Sequence, residues 1–284
     1  MPKKLTFGFV ADPPSHFDLE AETTLFLIRE IERRGHSVFL CEPKDLFLKQ
    51  NQVWAKGKNL ATLDCLFLRK DPPFDLSYLH HLYLLLKLRG KVLMINDPLA
   101  VMNHNEKLSA LNFPFAPKTL VTSKRELLLS WAKQFKNGVV LKPLHYSGGV
   151  GVRWLKNFKS CTITEQTLCQ EYLPAAKKGD KRILLWDGKI LGAYLRVPKP
   201  GEFRANLHQG GKFVATQLTP REIKIAKTVG LWAKRQRLYF VGMDLIGGYL
   251  TEINVTSPMG IREVNVLYHL KVEKTIIDSI LRKI

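Results

Sequence analysis

The sequence contains no uninterrupted apolar run of the roughly 18 residues that argue for a membrane-spanning helix. Met1-Pro2-Lys3-Lys4 leads at once into the strand-like Leu5-Val10, so the chain reads as starting at a mature N-terminus and not at a secretion signal. Cysteine is scarce. Cys41, Cys65, Cys161 and Cys169 lie far apart without CxxC or zinc-ribbon spacing, which excludes a zinc module and fits reduced core thiols in the cytoplasm. The dinucleotide fingerprint GxGxxG and the phosphate-loop pattern GxxxxGK[ST] are both missing, as are internal repeats and low-complexity segments. Negative charge is also short: 25 Asp and Glu face 44 Lys and Arg, a formal net charge of +19. That balance suits nucleic acid, anionic substrates or a generally basic proteome. The basic residues are spread along the whole chain, with no basic tail, RNP-type aromatic run or paired Cys/His fingers, which argues against nucleic acid. A solvated basic surface is the favoured reading, with attraction of anionic small molecules second.

What is present is a chain of 284 residues, 45% hydrophobic, enough for two or three closely packed lobes. Strand-like Leu5-Val10 is followed by a helical period from Ala21 to Arg34 closed by Gly35, and strands are expected at Ser37-Cys41, Asp64-Leu68 and Lys91-Ile95. A helix at Leu76-Arg89, closed by Gly90, completes an alternation that implies a parallel, Rossmann-like sheet. The turns after such strands are where open α/β sheets place ligand-binding groups, here Asp12, Arg69-Lys70-Asp71 and Asn96-Asp97. From Thr119 the texture changes: a helix near Ser123-Lys136, a strand Val139-Lys142, a glycine loop Ser147-Gly148-Gly149-Val150-Gly151, and a strand through Trp154. Beyond Leu168-Leu173 come two strands joined at Asp187-Gly188, a polar stretch Pro198-Lys212 that reads as a mobile loop, and a helix Pro220-Arg235. A hairpin of Phe240-Ile246 and Tyr249-Val255 and a helix from Leu270 to Arg282 end the chain.

That last hairpin carries the clearest chemistry. Asp244 lies in one strand, Glu252 and Asn254 two apart in the other, and period-two alternation turns all three to one face, with apolar Met243, Leu245, Ile253 and Val255 opposite. Oxygen donors without His or Cys suit Mg²⁺ bridging substrate phosphates, although a polar outer face would look the same. Lys142 ends a strand before a glycine loop, so an ammonium and backbone N–H groups could meet a polyphosphate together, though Gly-Gly turns beside a lysine are common. Gln170-Glu171-Tyr172-Leu173 could receive a nucleobase, with Asp180 available for ribose hydroxyls. Arg182, Arg196 and Arg204 offer guanidinium forks for a carboxylate or a phosphoryl group in transfer; ordinary surface arginines are the competing explanation.

Together Arg69-Lys70-Asp71-Pro72-Pro73-Phe74-Asp75, Asn105-Glu106-Lys107-Leu108, Leu141-Lys142-Pro143-Leu144, Gly179-Asp180-Lys181-Arg182 and Thr251-Glu252-Ile253-Asn254-Val255-Thr256-Ser257-Pro258 resemble the bacterial glutathione synthetases, a family of ATP-grasp ligases. The resemblance runs in the same order from the first strand to the last hairpin. It implies an α/β ATP-grasp fold with a Rossmann-like, pre-ATP-grasp parallel sheet domain over residues 1–118. A central lid over 119–186 and a catalytic piece over 187–284, with the loop 198–212, would follow. The implied reaction phosphorylates the C-terminal carboxylate of γ-glutamylcysteine with ATP, and glycine's amine then displaces phosphate to give glutathione.

The resemblance also implies residue roles. Lys107 and Lys142 would bind ATP phosphates beside Ser147, Gly148 and Gly149; Gln170, Glu171, Tyr172 and Leu173 would hold adenine, and Asp180 ribose. Asp244, Glu252 and Asn254 would hold Mg²⁺, with Mn²⁺ as a substitute. Arg182, Arg196 and Arg204 would be catalytic and hold the acyl phosphate or incoming substrates, and Asp12, Arg69, Asn206, Ser257 and Arg262 would contact substrate. The loop 198–212 would exclude water from the intermediate. The sequence departs from the family where His145-Tyr146-Ser147 opens the glycine loop and where the N-terminal lobe is shortened around Gln50-Leu63. A cytoplasmic homo-oligomer, dimer or tetramer, with no membrane or nucleic-acid partner, completes the expectation. Two other readings stand beside it: an ATP-grasp ligase for another γ-glutamyl peptide or a protein C-terminus, and a non-catalytic nucleotide- or nucleic-acid-binding module.

Overall fold

Four apolar strands form a parallel sheet in the order Ser37–Cys41, Thr6–Ala11, Cys65–Arg69, Leu93–Ile95. The computed structural model describes residues 3–157, 161–202, 204–205 and 211–284. Helices cover both faces of this sheet, which is why its strands carry bulky residues on both sides instead of alternating with polar ones. Phe7, Phe9, Cys65 and Phe67 enter one core cluster with Leu27 and Ile31 of the helix Thr23–Arg33. Val10, Leu66 and Leu68 enter another with Tyr78, Leu82 and Leu85 of the helix Leu76–Leu85. Phe9 and Phe67 are register partners, and their rings stack at 4.7 Å. Burial of each such ring contributes about 1.5–3 kcal/mol.

Helix ends differ from expectation by a few residues, for local reasons. The first helix starts at Thr23 because the Glu22 side chain accepts from the Thr24 N–H. The second stops at Leu85 and tightens into a 3₁₀ turn, Leu86–Leu88, before the left-handed Gly90. The stretch around Gln50-Leu63 holds a small antiparallel sheet of its own, Leu46–Lys49, Gln52–Ala55 and Lys58–Asn59. Gln50 and Asn51, then Lys56 and Gly57, take positive φ in two-residue turns, and Leu46, Val53 and Ala55 are buried beneath them.

A second sheet, antiparallel, has the order Arg153–Leu155, Val139–Pro143, Thr167–Glu171, Thr119–Thr122, with the helix Arg125–Ala132 packed through Leu128 and Ala132. The largest sheet runs Lys212–Ala215, Lys189–Val197, Asp180–Trp186, Phe240–Ile246, Tyr249–Asn254. Asp180–Trp186, placed above in the central piece, is therefore an inner strand of the C-terminal sheet; by sheet membership the change falls between Glu171 and Asp180. The helix Pro220–Arg235 opens with a capping box between Thr219 and Glu222.

The last helix, Val272–Leu281, returns to the first lobe, where Ile276, Ile277 and Ile280 share a core with Leu27 and Ile31 and Arg34 pairs with Asp278. A further helix, Ile261–Tyr268, precedes it and was not expected. Asn96, read above as a ligand-binding group, is instead a joint between lobes. Its amide donates to Phe240 O and Val255 O and accepts from Phe240 N, each at 2.8 Å, which uses its bonding capacity inside the protein.

Candidate active site

Cross-strand register pairs Asp244 with Glu252 and Gly242 with Asn254, so the two carboxylates and the amide occupy one face of the hairpin. Asn254 Nδ2 donates to Asp244 Oδ2 at 3.4 Å, while Met243, Leu245 and Ile253 are buried in the core. Two carboxylates and an amide oxygen are the hard donors that a divalent cation of the Mg²⁺ class takes, so the residues present fit such an ion. Among the described residues no group of three or more His, Cys, Asp or Glu side chains offers another metal site.

The same register builds a buried chain of alternating charge. Asp180 faces Arg196, and Arg182 faces Asp244, on adjacent strands. Arg182 grips Asp244 through Nε to Oδ1 and through Nη2 to Oδ2 at 3.0 Å, and Arg196 Nη2 lies 2.9 Å from Oδ2. Burial opposes the Asp244 charge, but the two guanidiniums outweigh it and hold the carboxyl well below the usual carboxylate range. Arg196 also donates through Nε to Asp180, whose carboxyl is pushed up by burial against the pull of Arg196.

Beside this wall lies a cleft with about 820 Å³ of open space. Val140, Val152, Tyr172, Leu173, Ala176 and Ile246 give it an apolar slot, and Lys107, Lys142, Asp180 and Arg196 a charged end. Ser147 and Gly149 line it as well, while Gly148 lines the cavity next to it. Lys107, 4% exposed, donates to Tyr146 O and lies 3.3 Å from Glu252, and Lys142 donates to Gln170 Oε1 at 3.0 Å. Burial lowers the Lys142 ammonium's pKa while Glu252 pulls it back up. Trp154 stacks on Tyr172 at 4.1 Å and stiffens the slot. Gln170 and Glu171 line the cleft as well; Glu171 Oε1 accepts from Lys118 N at 2.9 Å, and the Glu171 and Tyr172 N–H groups bond Lys118 O and Gly138 O.

Across the Asp244–Glu252 wall is a second cavity, with about 1270 Å³ of space open to solvent, lined by Arg182, Arg196, Asn254, Ser257, Glu106 and Tyr194 among others. Of the proposed substrate contacts, Ser257 lines it. Arg262 lines a neighbouring hollow, where it lies over the Phe213 ring at 5.5 Å. Arg69 does not reach either cavity. At 3% exposure it donates to Thr24 Oγ1 and Pro258 O at 3.0 Å and pairs with Glu22, so its fork anchors the loop after the Asp244–Asn254 hairpin. Asp12 accepts from Asp71 N at 2.7 Å and pairs with Lys70. Arg204 lines the first cleft and lies 3.5 Å from Glu202; Asn206 falls outside the described residues.

Sequence reasoning passed over Asn105 and Glu106 as working residues. Asn105 donates to Leu144 O at 2.9 Å, and Glu106 Oε1 accepts from Val255 N, Thr256 N and Thr256 Oγ1. Together with Lys107 they tie the glycine-loop segment and the Asp244–Asn254 hairpin together beside the second cavity. The signal was present: two polar side chains flanked a lysine already assigned to phosphate.

Comparison with known proteins agrees with this geometry. The model of the prokaryotic glutathione synthetase ATP-grasp domain matches residues 106–269, and that of the N-terminal domain matches 5–62 and 56–101. The two N-terminal pieces overlap within the stretch of the small antiparallel sheet. Glutathione synthetase of Agrobacterium fabrum is 37% identical over 96% of this chain and 95% of its own, and that of Coxiella burnetii 35% over 94% of each. In fold, the chain is similar to the ATP-grasp ligase PsnB (TM-score 0.72, 15% identity, 99% of both chains) and to D-cycloserine synthetase DcsG (0.69, 12%, 97% and 99%). A cleft with an apolar slot beside buried lysines, a two-carboxylate wall and nearly full-length likeness lead to one conclusion: this chain belongs to the prokaryotic glutathione synthetases, ATP-dependent ligases built on the ATP-grasp fold.

Proposed function

We propose that this chain joins γ-glutamylcysteine to glycine with ATP, in the cytoplasm, through an acyl phosphate. The observation that carries the reading is a single wall, Asp244 and Glu252, shared by two cavities, one with buried lysines and an apolar slot and the other with arginines and a serine. Adenine fits the slot between Val140, Tyr172, Leu173 and Ile246, and Lys107 and Lys142 meet the phosphates. A divalent metal, Mg²⁺ or Mn²⁺ in its place, held by Asp244, Glu252 and Asn254 would neutralise phosphate oxygens during transfer.

From the second cavity the C-terminal carboxylate of the dipeptide attacks the γ-phosphorus. A carboxylate O–P bond forms, the bond to the β-phosphate oxygen breaks, and ADP is released. Arg182 and Arg196, which here balance Asp244 and Asp180, stand where charge develops on the transferred group. Glycine's amine then attacks the acyl carbon, the C–O bond to phosphate breaks, and the ammonium proton is lost to solvent. Arg204, which lines the first cleft, would help to keep out water that would otherwise hydrolyse the intermediate. Self-association as a dimer or tetramer belongs to the same proposal. The test is ADP release from Mg-ATP with both co-substrates and with each omitted; turnover is expected only with γ-glutamylcysteine present and to depend on glycine. Turnover indifferent to glycine overturns the assignment.

A further inference from the structure

We propose that Glu106 receives the ammonium group of the amino-acid co-substrate, an inference that rests on the ligase reading above. Four carboxylates line the substrate cavity: Asp71, Glu106, Asp244 and Glu252. Asp244 is taken by two guanidiniums, and Glu252 lies 3.3 Å from Lys107 Nζ. Asp71, on an exposed residue, takes a hydrogen bond from Ser257 and lies in the field of Arg69. Glu106 is different. It is 7% exposed and forms no ion pair among the described residues.

A buried carboxylate without a cation is costly, and such a group in a binding cavity calls for a cationic ligand. Its three hydrogen bonds, from Val255 N at 2.9 Å, Thr256 N at 3.1 Å and Thr256 Oγ1 at 2.8 Å, all fall on Oε1. Oε2 takes none among the described residues. The first oxygen therefore fixes the side chain to the turn after the metal hairpin and leaves the second for a ligand. That turn continues into Ser257 and Pro258, which line the same cavity as Arg182 and Arg196. An ammonium held at Glu106 thus shares a chamber with the acyl group that it must meet after giving up a proton to solvent, and this proximity lets the neutral amine attack before water does.

The reaction supplies two primary amines, the free α-amine of the γ-glutamyl residue and that of glycine, and only glycine's has to reach the acyl carbon beside Arg182 and Arg196 in the cavity that Glu106 lines. Glu106→Gln keeps a carbonyl oxygen for the three bonds and removes the charge. In this variant the KM for glycine is expected to rise about 10- to 100-fold, while the KM values for ATP and γ-glutamylcysteine change by less than about twofold. The preference for glycine over hydroxylamine, a neutral amine nucleophile, is expected to fall by a similar factor. An unchanged glycine KM, or equal rises for all three substrates, overturns the proposal. Should the variant not fold, a crystal of the wild-type chain with glycine, γ-glutamylcysteine and a non-hydrolysable ATP analogue decides. The glycine nitrogen is expected within hydrogen-bonding distance of Glu106, and a nitrogen bound elsewhere overturns the proposal. Failure of the wild-type chain to use glycine at all would instead strike at the ligase reading.

Discussion

Glu252 stands between the buried Lys107, at 3.3 Å, and its cross-strand partner Asp244, so its charge balances an ammonium, and in the proposed reaction it would also help to hold a divalent cation. Glu252→Gln preserves volume and removes that charge. Turnover is expected to fall by at least about 100-fold with an unchanged melting temperature, because a ligand to charge in transfer is lost while packing is kept. Steady-state ADP release beside a thermal melt checks this, and a near-normal rate would place the metal elsewhere. The cysteines give a second residue-scale expectation. All four are buried, and burial pushes the Cys41 thiol up to about 12 and Cys65 further still. The folded chain should therefore react slowly with a thiol reagent at neutral pH, and all four thiols should titrate only after denaturation. Rapid labelling of the native chain would contradict the packing. At this scale the sequence showed the Asp244, Glu252 and Asn254 face, because alternation along one strand is a local property. It did not show the Asp180–Arg196–Asp244–Arg182 chain, which depends on the register of three strands far apart in sequence. The same limit applies to Arg69, whose partners at Thr24 and Pro258 are remote.

Two elements make separate tests. Gly179, at φ +108°, lets the start of Asp180–Trp186 approach the Arg196 backbone; a Cβ there would sit 2.0 Å from Arg196 O. Gly179→Ala should destabilise the chain by about 1–3 kcal/mol, read as a lower denaturation midpoint, since both conformation and contact are violated. The helix Thr23–Arg33 carries a pH-dependent clamp. A hydrogen bond from Arg33 lowers the Glu30 carboxyl to about 2 from 4.5, burial opposes it, and Arg34 adds to the lowering. A depressed carboxyl stabilises above its unfolded value, so this contribution is complete above about pH 4.5 and fades as pH falls toward 2. Wild type should melt above Glu30→Gln at neutral pH, and the gap should close in acid; a constant gap would mean the pairs do not matter. Element type was legible wherever apolar period was strong, as in the parallel strands and Pro220–Arg235. The small sheet at Leu46–Asn59 was not, because its strands are two to four residues long and its turns use Gln50-Asn51 and Lys56-Gly57.

At the scale of the molecule, the chain folds back so that its last helix buries Ile276, Ile277 and Ile280 against the first lobe, which keeps the parallel sheet and the two ATP-grasp sheets in one framework around the cavities. Among the described residues no helix is long and apolar enough to cross a membrane. The net charge of +19 matches a reaction whose substrates carry phosphates and carboxylates, and raised salt should then increase KM for ATP and γ-glutamylcysteine more than for glycine. If one carboxylate wall joins a nucleotide cavity to an acyl cavity, as proposed, an oxygen atom of the dipeptide's carboxylate must end in the phosphate released. If the dipeptide's C-terminal carboxylate is labelled with heavy oxygen and turned over with Mg-ATP and glycine, the account expects one labelled oxygen in each phosphate released. Phosphate released without label would contradict it, since ATP would then have been split by water and not by the carboxylate.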